Sequence, residues 1–260
     1  MNGRIYCYSS TGNTRLACEA IAERSTSIGF EIVDVLSAGD VSLESVNIVG
    51  FATWADYWNP PQRMLSFLDT FPQANRLPAF VFNTFGAMSG RTLSTLQQRA
   101  EAKGLHVIAG HSLHMPESFP PLIKRGQGFE HAPSEKELRA FLAFISHLNA
   151  FGREPTNRRL PSHRPGLSRF LPAFSRTHSR RAMGEKLVDE TACTECGVCR
   201  DLCPYGAITL SPKPVFDQDR CFGCWACYNH CPTSAIYTQK IRGVPPYREP
   251  SRALRQKLGC

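Results

Sequence analysis

Eight of the eleven cysteines lie in two short runs, and these runs constrain the fold more than any other feature of the chain. Each run has the form C-x2-C-x2-C-x3-C-P. The likeness continues beyond the prolines, because Ala207-Ile208 corresponds to Ala235-Ile236. The sequence therefore predicts two pseudo-symmetric halves that fold around bound metal. The runs are Cys193, Cys196, Cys199, Cys203 and Pro204, followed by Cys221, Cys224, Cys227, Cys231 and Pro232.

The spacing within the runs is typical of iron–sulfur ligation. A cubane cluster takes three thiolates from one tightly wrapped loop and a fourth from the other half of the repeat. A structural zinc site, the alternative, uses C-x2-C pairs with longer gaps and needs neither the third cysteine nor the Cys-Pro. The pattern resembles that of bacterial two-[4Fe–4S] ferredoxins over residues 188–239. We expect Gly197 and Gly223 to turn N–H groups toward the sulfides. One predicted ligand set is Cys193, Cys196, Cys199 and Cys231, and the other is Cys221, Cys224, Cys227 and Cys203.

Basic side chains concentrate in two segments of a chain whose formal net charge is +8. These segments are residues 152–187, rich in Arg, Ser, His and Pro, and residues 240–260. The changes in charge predict a domain over 1–151, a basic connector over 152–187, a second domain over 188–239 and a basic tail over 240–260. The composition is that of a globular protein, and no apolar run is long enough to cross a bilayer.

Residues 1–151 alternate between short apolar runs and amphipathic helical patterns. This alternation predicts an α/β domain with a doubly wound parallel sheet, which binds ligands beyond the carboxyl ends of its strands. The residues after 188 predict a small α+β domain. Strands are predicted over 4–8, 31–36, 46–53, 79–83 and 105–111, and helices over 14–28, 63–71, 89–103 and 134–151.

The turn after the first predicted strand carries the clearest ligand signal of this domain. It places hydroxyls and free backbone N–H groups at the start of a helix, where a phosphate is favoured. An ordinary Ser/Thr helix cap is the alternative, and neither the P-loop nor the dinucleotide fingerprint is present. The turn resembles the flavodoxin phosphate loop, and the resemblance covers about residues 1–150 and implies bound FMN. The predicted phosphate contacts are Ser9, Ser10, Thr11, Gly12, Asn13 and Thr14.

Flavodoxins hold the flavin ring between the loops after their third and fourth strands. The aromatic residues of the first loop suit stacking on a flat ring, and the glycines of the second suit close backbone approach. Short-chain flavodoxins often carry an acidic, Tyr-containing second loop, and this chain does not. We therefore expect its flavin potentials to differ from those of such flavodoxins. The predicted contacts are Thr53, Trp54, Ala55 and Tyr57 in the first loop and Asn83, Thr84, Phe85, Gly86 and Gly90 in the second.

Both halves, in this order, resemble the flavodoxin–ferredoxin fusion proteins of anaerobic bacteria and archaea. The resemblance implies an electron-transfer protein that links one-electron and two-electron redox partners through two [4Fe–4S] clusters and FMN. No catalytic triad, carboxylate pair or catalytic lysine is evident, which favours a carrier over a substrate-specific oxidoreductase. Two alternatives stay open: a ferredoxin-linked flavin reductase acting on a quinone or corrinoid, and an iron–sulfur redox sensor.

The basic segments predict docking of an acidic redox protein rather than binding of nucleic acid. The sequence leaves a homodimer open as well. Its start carries no signal-peptide pattern, so we expect a cytoplasmic protein.

Overall fold

The computed structural model describes residues 1–156, 180 and 183–260, and it divides the chain into two compact units. Unit 1 contains residues 1–116, the described residues of 129–173, and 250–260. Unit 2 contains residues 117–128 and the described residues of 174–249. Three segments are thus assigned differently from the sequence-based division. Residues 117–128 and 240–249 join the cysteine-containing unit, and residues 250–260 join the α/β unit. The predicted connector lies mostly outside the described residues.

The core of unit 1 is a sheet of five parallel strands in the order β2-β1-β3-β4-β5. This order defines the flavodoxin-like doubly wound fold and confirms the predicted fold class. The three strands from β3 to β5 are buried almost throughout because helices cover both faces, whereas the edge strand β2 is partly exposed. The strands are β1 (Asn2–Cys7), β2 (Gly29–Asp34), β3 (Ile48–Trp54), β4 (Pro78–Phe85) and β5 (His106–His114).

Helices pack on both faces of this sheet and form two separate hydrophobic cores. One core includes side chains of α1, α5 and α8, and the other includes side chains of α2 and α3. The helix α5 starts at a capping box, in which Ser134 and Glu137 exchange hydrogen bonds. The helices of unit 1 are α1 (Asn13–Arg24), α2 (Gln62–Thr70), α3 (Thr92–Ala102), α5 (Glu135–Arg153) and α8 (Arg252–Leu258).

The first helix is shorter than the predicted span of 14–28. It ends at Arg24, and the next residues turn directly into β2. The side chain of Asn149 holds this turn, because its Oδ1 accepts hydrogen bonds from the backbone N–H groups of Thr26 and Ser27. A contact from a residue so far along the chain is invisible to a local helical pattern.

The C-terminal segment 250–260, the end of the expected basic tail, contains helix α8 and is part of unit 1. The Ser251 hydroxyl caps the helix start by accepting from the N–H of Leu254. Leu254 and Leu258 are buried in the same core as α1, and Arg24 donates to the carbonyl of Leu258 at 3.1 Å. The Ser cap and the i, i+4 leucines are helix signals that the charge pattern concealed.

Unit 2 consists of two similar halves whose short strands pair across the halves. In sequence order the strands are β6 (Leu187–Val188), β7 (Ile208–Ser211), β8 (Lys213–Phe216) and β9 (Ile236–Tyr237). The first pairs with the last, and β7 pairs with β8, both antiparallel. The short helices are α4 (Pro120–Ile123), α6 (Val198–Asp201) and α7 (Ala226–His230). This pairing interlocks the two halves, as cross-ligation by the cysteine runs requires.

The segment 117–128 contributes to a small hydrophobic core of unit 2. Phe119 and Ile123 pack against a buried group that includes Trp225, Tyr228 and Ile241. The carbonyl of Ser118 accepts a hydrogen bond from the Asn229 side chain at 3.0 Å. No helix among the described residues is long and apolar enough to span a membrane.

Candidate functional site

The eight clustered cysteines of unit 2 line two cavities of similar size. We call them cluster site 1 and cluster site 2. Each site combines three cysteines of one run with the last cysteine of the other run, which is the arrangement that the resemblance implies. Within the described part of the chain, no three His, Cys, Asp or Glu side chains converge on a single metal ion. Cluster site 1 is lined by Cys193, Cys196, Cys199 and Cys231, and cluster site 2 by Cys203, Cys221, Cys224 and Cys227.

Backbone hydrogen bonds repeat around the two sites. The N–H of Ala235 donates to Cys231 Sγ at 3.2 Å, and the N–H of Ala207 donates to Cys203 Sγ at 3.4 Å. Each run is preceded by an aspartate, Asp189 or Asp217, whose carbonyl accepts from the N–H of the first cysteine. Donors aimed at sulfur stabilise thiolate charge, so both sites are built to hold anionic sulfur.

The backbone enters the left-handed region at equivalent points of the two cysteine loops. The first pair is Glu195 and Gly223, with φ of 57° and 70°, and the second is Gly197 and Trp225, with φ of 77° and 64°. Gly197 therefore corresponds to Trp225 rather than to Gly223. A non-glycine residue in this region is uncommon and costs on the order of 1–3 kcal/mol. The site geometry thus imposes the same backbone path on both halves, whichever residues occupy it.

The chemistry of the thiols fits a cluster that carries positive iron. Burial raises the pKa of Cys199 and of Cys227, so these thiols do not readily ionise by themselves. A metal cluster compensates the charge of the buried thiolates and binds them in the deprotonated form. At Cys227 the nearby charge of Lys186 opposes the effect of burial, but the pKa of the thiol stays raised.

The predicted phosphate loop of unit 1 joins β1 to α1. Gly12 precedes α1 with a φ of 93°, a left-handed conformation that suits glycine, and no side chain caps the helix start. The alternative of an ordinary Ser/Thr cap is therefore not formed. Thr11 is buried, and a side chain at position 12 would meet Pro250, 2.8 Å from its Cδ.

Two buried hydroxyls at this edge of the sheet have no hydrogen-bond partner among the described residues. They belong to Ser9, in the loop, and to Thr53, at the end of β3. Buried hydroxyls normally have a hydrogen-bond partner. Two hydroxyls without one, close to a helix start that no side chain caps, suit the binding of an anionic ligand. Ser10 lies next to Ser9 in the same half-buried stretch.

The other two residues of the loop hold it to neighbouring segments. Asn13 donates from Nδ2 to the carbonyl of Pro116 at 2.9 Å. The hydroxyls of Thr14 and Thr84 lie 2.8 Å apart, which connects the loop to β4. A threonine hydroxyl has one donor and two acceptor sites, so Thr14 keeps capacity for a second partner.

The first predicted ring loop follows β3 and packs on the second. Trp54 contacts Tyr8 at a ring-centroid distance of 4.4 Å, and Ala55 donates its N–H to the carbonyl of Thr84. Tyr57 lies in a tight turn and has a φ of 47°. A side chain at Gly90 would collide with Trp58. The group that comes close to this glycine is therefore Trp58 of the first predicted ring loop.

Asn83 has a structural role at the start of the second predicted ring loop. Its Oδ1 accepts hydrogen bonds from the hydroxyls of Ser112, at 2.6 Å, and Ser89, at 3.2 Å. These bonds connect the end of β4, the loop and β5. Gly86 lies farther along this loop and is half-buried.

Phe85 stacks on His114 at 5.3 Å, with the ring planes 12° apart. His114 in turn lies 3.2 Å from the carboxylate of Glu137 through its Nδ1. Partial burial raises the pKa of Glu137, but hydrogen bonds from Ser134 and the interaction with His114 lower it overall. This chain of contacts fixes the ring of Phe85 at the carboxyl edge of the sheet.

Sequence reasoning missed two residues of cluster site 2. Lys186 and Trp225 line the cavity together with its cysteines, and the Lys186 Nζ lies 3.4 Å from the centroid of the indole ring. Neither residue belongs to the ligand pattern, and a lone lysine or tryptophan carries no local signal. The cysteine spacing specifies ligands but not the side chains that fold against them.

Known proteins are similar to separate parts of the chain. Residues 192–235 match the family model of the 4Fe-4S dicluster domain. A flavodoxin from the domain Archaea is 16% identical with a TM-score of 0.45, and the match covers 59% of this chain and 100% of that one. A flavodoxin from Streptococcus pneumoniae TIGR4 is 13% identical with a TM-score of 0.45, and the match covers 58% of this chain and 99% of that one. No curated protein matches the chain. The sheet order and the family match together define a flavodoxin-like domain combined with a 4Fe-4S dicluster domain.

Proposed function

We propose that the protein transfers electrons between two [4Fe–4S] clusters in unit 2 and an FMN bound to unit 1. The observation that carries the proposal is the pair of similar cavities, each lined by four cysteines drawn from both runs. When bound, each cluster would carry one electron and FMN two, so that the protein would link one-electron and two-electron redox partners.

The residues of unit 2 would hold the clusters and stabilise their charge. Four thiolates ligate at each site, and the N–H groups of Ala207 and Ala235 donate to ligand sulfur. Interlocked strand pairing keeps the two halves together, so the fourth cysteine of each run reaches the opposite site.

The residues of unit 1 would hold the phosphate of FMN at the start of α1. Support comes from the left-handed Gly12 and from the unpaired hydroxyls of Ser9 and Thr53. The side chains of Trp54 and Phe85, which are the last residues of the neighbouring strands β3 and β4, would face the flavin ring. Asn83 and Gly90 would act indirectly by holding the second loop in position.

We further propose a redox protein with an acidic surface as the partner, since the formal net charge is +8. Opposite charges increase encounter rates, and this increase declines with salt. Electron transfer to such a partner should therefore slow down as the ionic strength rises. A rate that does not depend on salt would contradict the acidic partner and leave the cofactor assignment intact.

An anaerobic redox titration of the purified full chain tests the proposal, together with iron and flavin analysis. We expect about eight irons and one FMN per chain, because each cubane contains four irons. We also expect clusters and flavin to exchange electrons rapidly within the chain, as followed by visible absorbance and EPR. Iron without flavin would contradict the role of unit 1. Turnover of a quinone or corrinoid without any protein partner would favour the reductase alternative.

A further inference from the structure

The two cluster sites are matched in their ligands but not in their charge. Each has four cysteines and one backbone N–H donor to the sulfur of its Cys-Pro cysteine. The charged residue that lines cluster site 1 is Glu195, which is exposed. The charged residue that lines cluster site 2 is Lys186, which is only 4% exposed. Among the described residues that line the cavities, a buried cation therefore borders cluster site 2 and an exposed anion borders cluster site 1. Outside these linings the sites are alike, because Arg180 donates to the carbonyl of Cys221 at 3.3 Å and the exposed Arg248 donates to the carbonyl of Cys231 at 3.2 Å.

Lys186 is held at cluster site 2 by several contacts. Its backbone N–H donates to Gln218 Oε1 at 3.3 Å, and its carbonyl accepts from Gln218 Nε2 at 3.0 Å. Its Nζ lies 3.4 Å from the centroid of the Trp225 ring, and Trp225 is 2% exposed. The backbone of Trp225 is left-handed at this cation–π contact, with a φ of 64°. The cation is thus fixed beside the cavity rather than free to move into solvent.

We propose that Lys186 raises the reduction potential of the cluster in cluster site 2 and so directs the first electron to that site. This inference rests on the two clusters of the proposed function. The added electron comes from a low-potential donor, which is dithionite in the experiment below. Reduction adds one negative charge to the cluster, and a neighbouring cation stabilises the added charge.

Burial acts in the opposite direction and has to be weighed against the cation. Cluster site 1 includes the exposed Cys196, whereas the cysteines of cluster site 2 are half-buried or buried. A less solvated site disfavours added negative charge and lowers the potential. The same low polarity strengthens the attraction between Lys186 and the cluster, since charges interact more strongly away from water. The Glu195 charge is weakened by its exposure to solvent.

The experiment is an anaerobic dithionite titration of the full chain, followed by low-temperature EPR, with iron measured on each sample. In the variant Lys186→Met we expect the first electron to shift toward cluster site 1 by at least about tenfold. For a one-electron couple this corresponds to about 59 mV. Methionine keeps an unbranched apolar side chain of similar length and removes the ammonium group with its charge.

Two further variants separate charge from structure. Lys186→Arg keeps a cation over the indole ring, so we expect potentials close to those of the unaltered protein. Lys240→Met removes one charge from an exposed side chain of the same unit, and we expect no change. A merely structural role of Lys186 would appear as lost iron in Lys186→Met, whereas a charge effect changes the order of reduction at full iron content.

Unchanged potentials in Lys186→Met with full iron content would overturn the inference. If that variant loses iron, the order of reduction in the unaltered protein decides. Cys224→Ser marks the EPR signal of cluster site 2, and a first electron on the other site would refute the role of Lys186. A protein without iron would instead refute the proposed function, so the two failures are distinguishable.

Discussion

The predicted phosphate loop allows a direct test of the proposed flavin site through Gly12. This residue has a φ of 93°, and a Cβ there would lie 2.8 Å from Pro250 Cδ. In Gly12→Ala the left-handed conformation costs on the order of 1–3 kcal/mol. In Gly12→Asp a negative charge is added beside the proposed phosphate.

The two effects can be separated, because both variants carry the backbone strain and only Gly12→Asp adds the charge. Two like charges about 4–8 Å apart repel by roughly 2–4 kcal/mol at an effective dielectric constant of about 20. For Gly12→Asp this predicts FMN binding that is roughly 30- to 1,000-fold weaker than in Gly12→Ala. The Kd is measured by titrating apoprotein with FMN and following the quenching of flavin fluorescence.

Gly39→Asp is the matched control, because Gly39 is exposed in the same unit and, apart from its chain neighbours, no described residue has an atom within 4 Å of a Cβ there. It adds the same charge without strain, and we expect a Kd close to that of the unaltered protein. Equal affinity in Gly12→Asp and Gly39→Asp would refute the phosphate-loop assignment. Equal weakening in Gly12→Ala and Gly12→Asp would show that backbone strain, not charge, dominates.

Three further predictions concern ligation, packing and pH. Cys231→Ser should remove iron from cluster site 1 and Cys203→Ser from cluster site 2, each leaving about four irons; EPR showing the opposite assignment would disprove cross-ligation. Leu258→Ala should lower the free energy of unfolding of unit 1 by about 2–5 kcal/mol in urea, since Leu258 is 1% exposed, while the exposed Gln256→Ala should not. Partial burial raises the pKa of Glu137, but the hydrogen bonds of its carboxylate lower it overall. The stabilisation by this carboxylate is therefore present above about pH 4.5 and lost in acid. Glu137→Gln should have a lower unfolding midpoint than the unaltered protein at neutral pH, and the two midpoints should converge in acid.

The amino-acid sequence determined the features that depend on short stretches of chain. The cysteine runs specify ligands because their spacing matches a cubane, and the alternation of apolar patterns specifies a parallel α/β sheet. The turn over 9–14 could likewise be predicted from the sequence, because its hydroxyls, its glycine and the start of the helix lie within a few residues. The predicted strands all appear in the sheet with shifts at their ends.

Only the tertiary structure decided which distant residues complete these sites. Lys186 borders cluster site 2, and Thr84 meets the phosphate loop, although each is far from its partners along the chain. The segments 117–128 and 250–260 likewise join units that the charge pattern did not indicate. Such contacts arise when apolar surface is buried by the whole fold, and residue spacing cannot express them. The reduction potential of an iron–sulfur cluster depends on hydrogen bonds and solvent exposure around it. The sequence therefore predicts the ligands, whereas the residues that would tune a bound cluster are visible only in the folded structure.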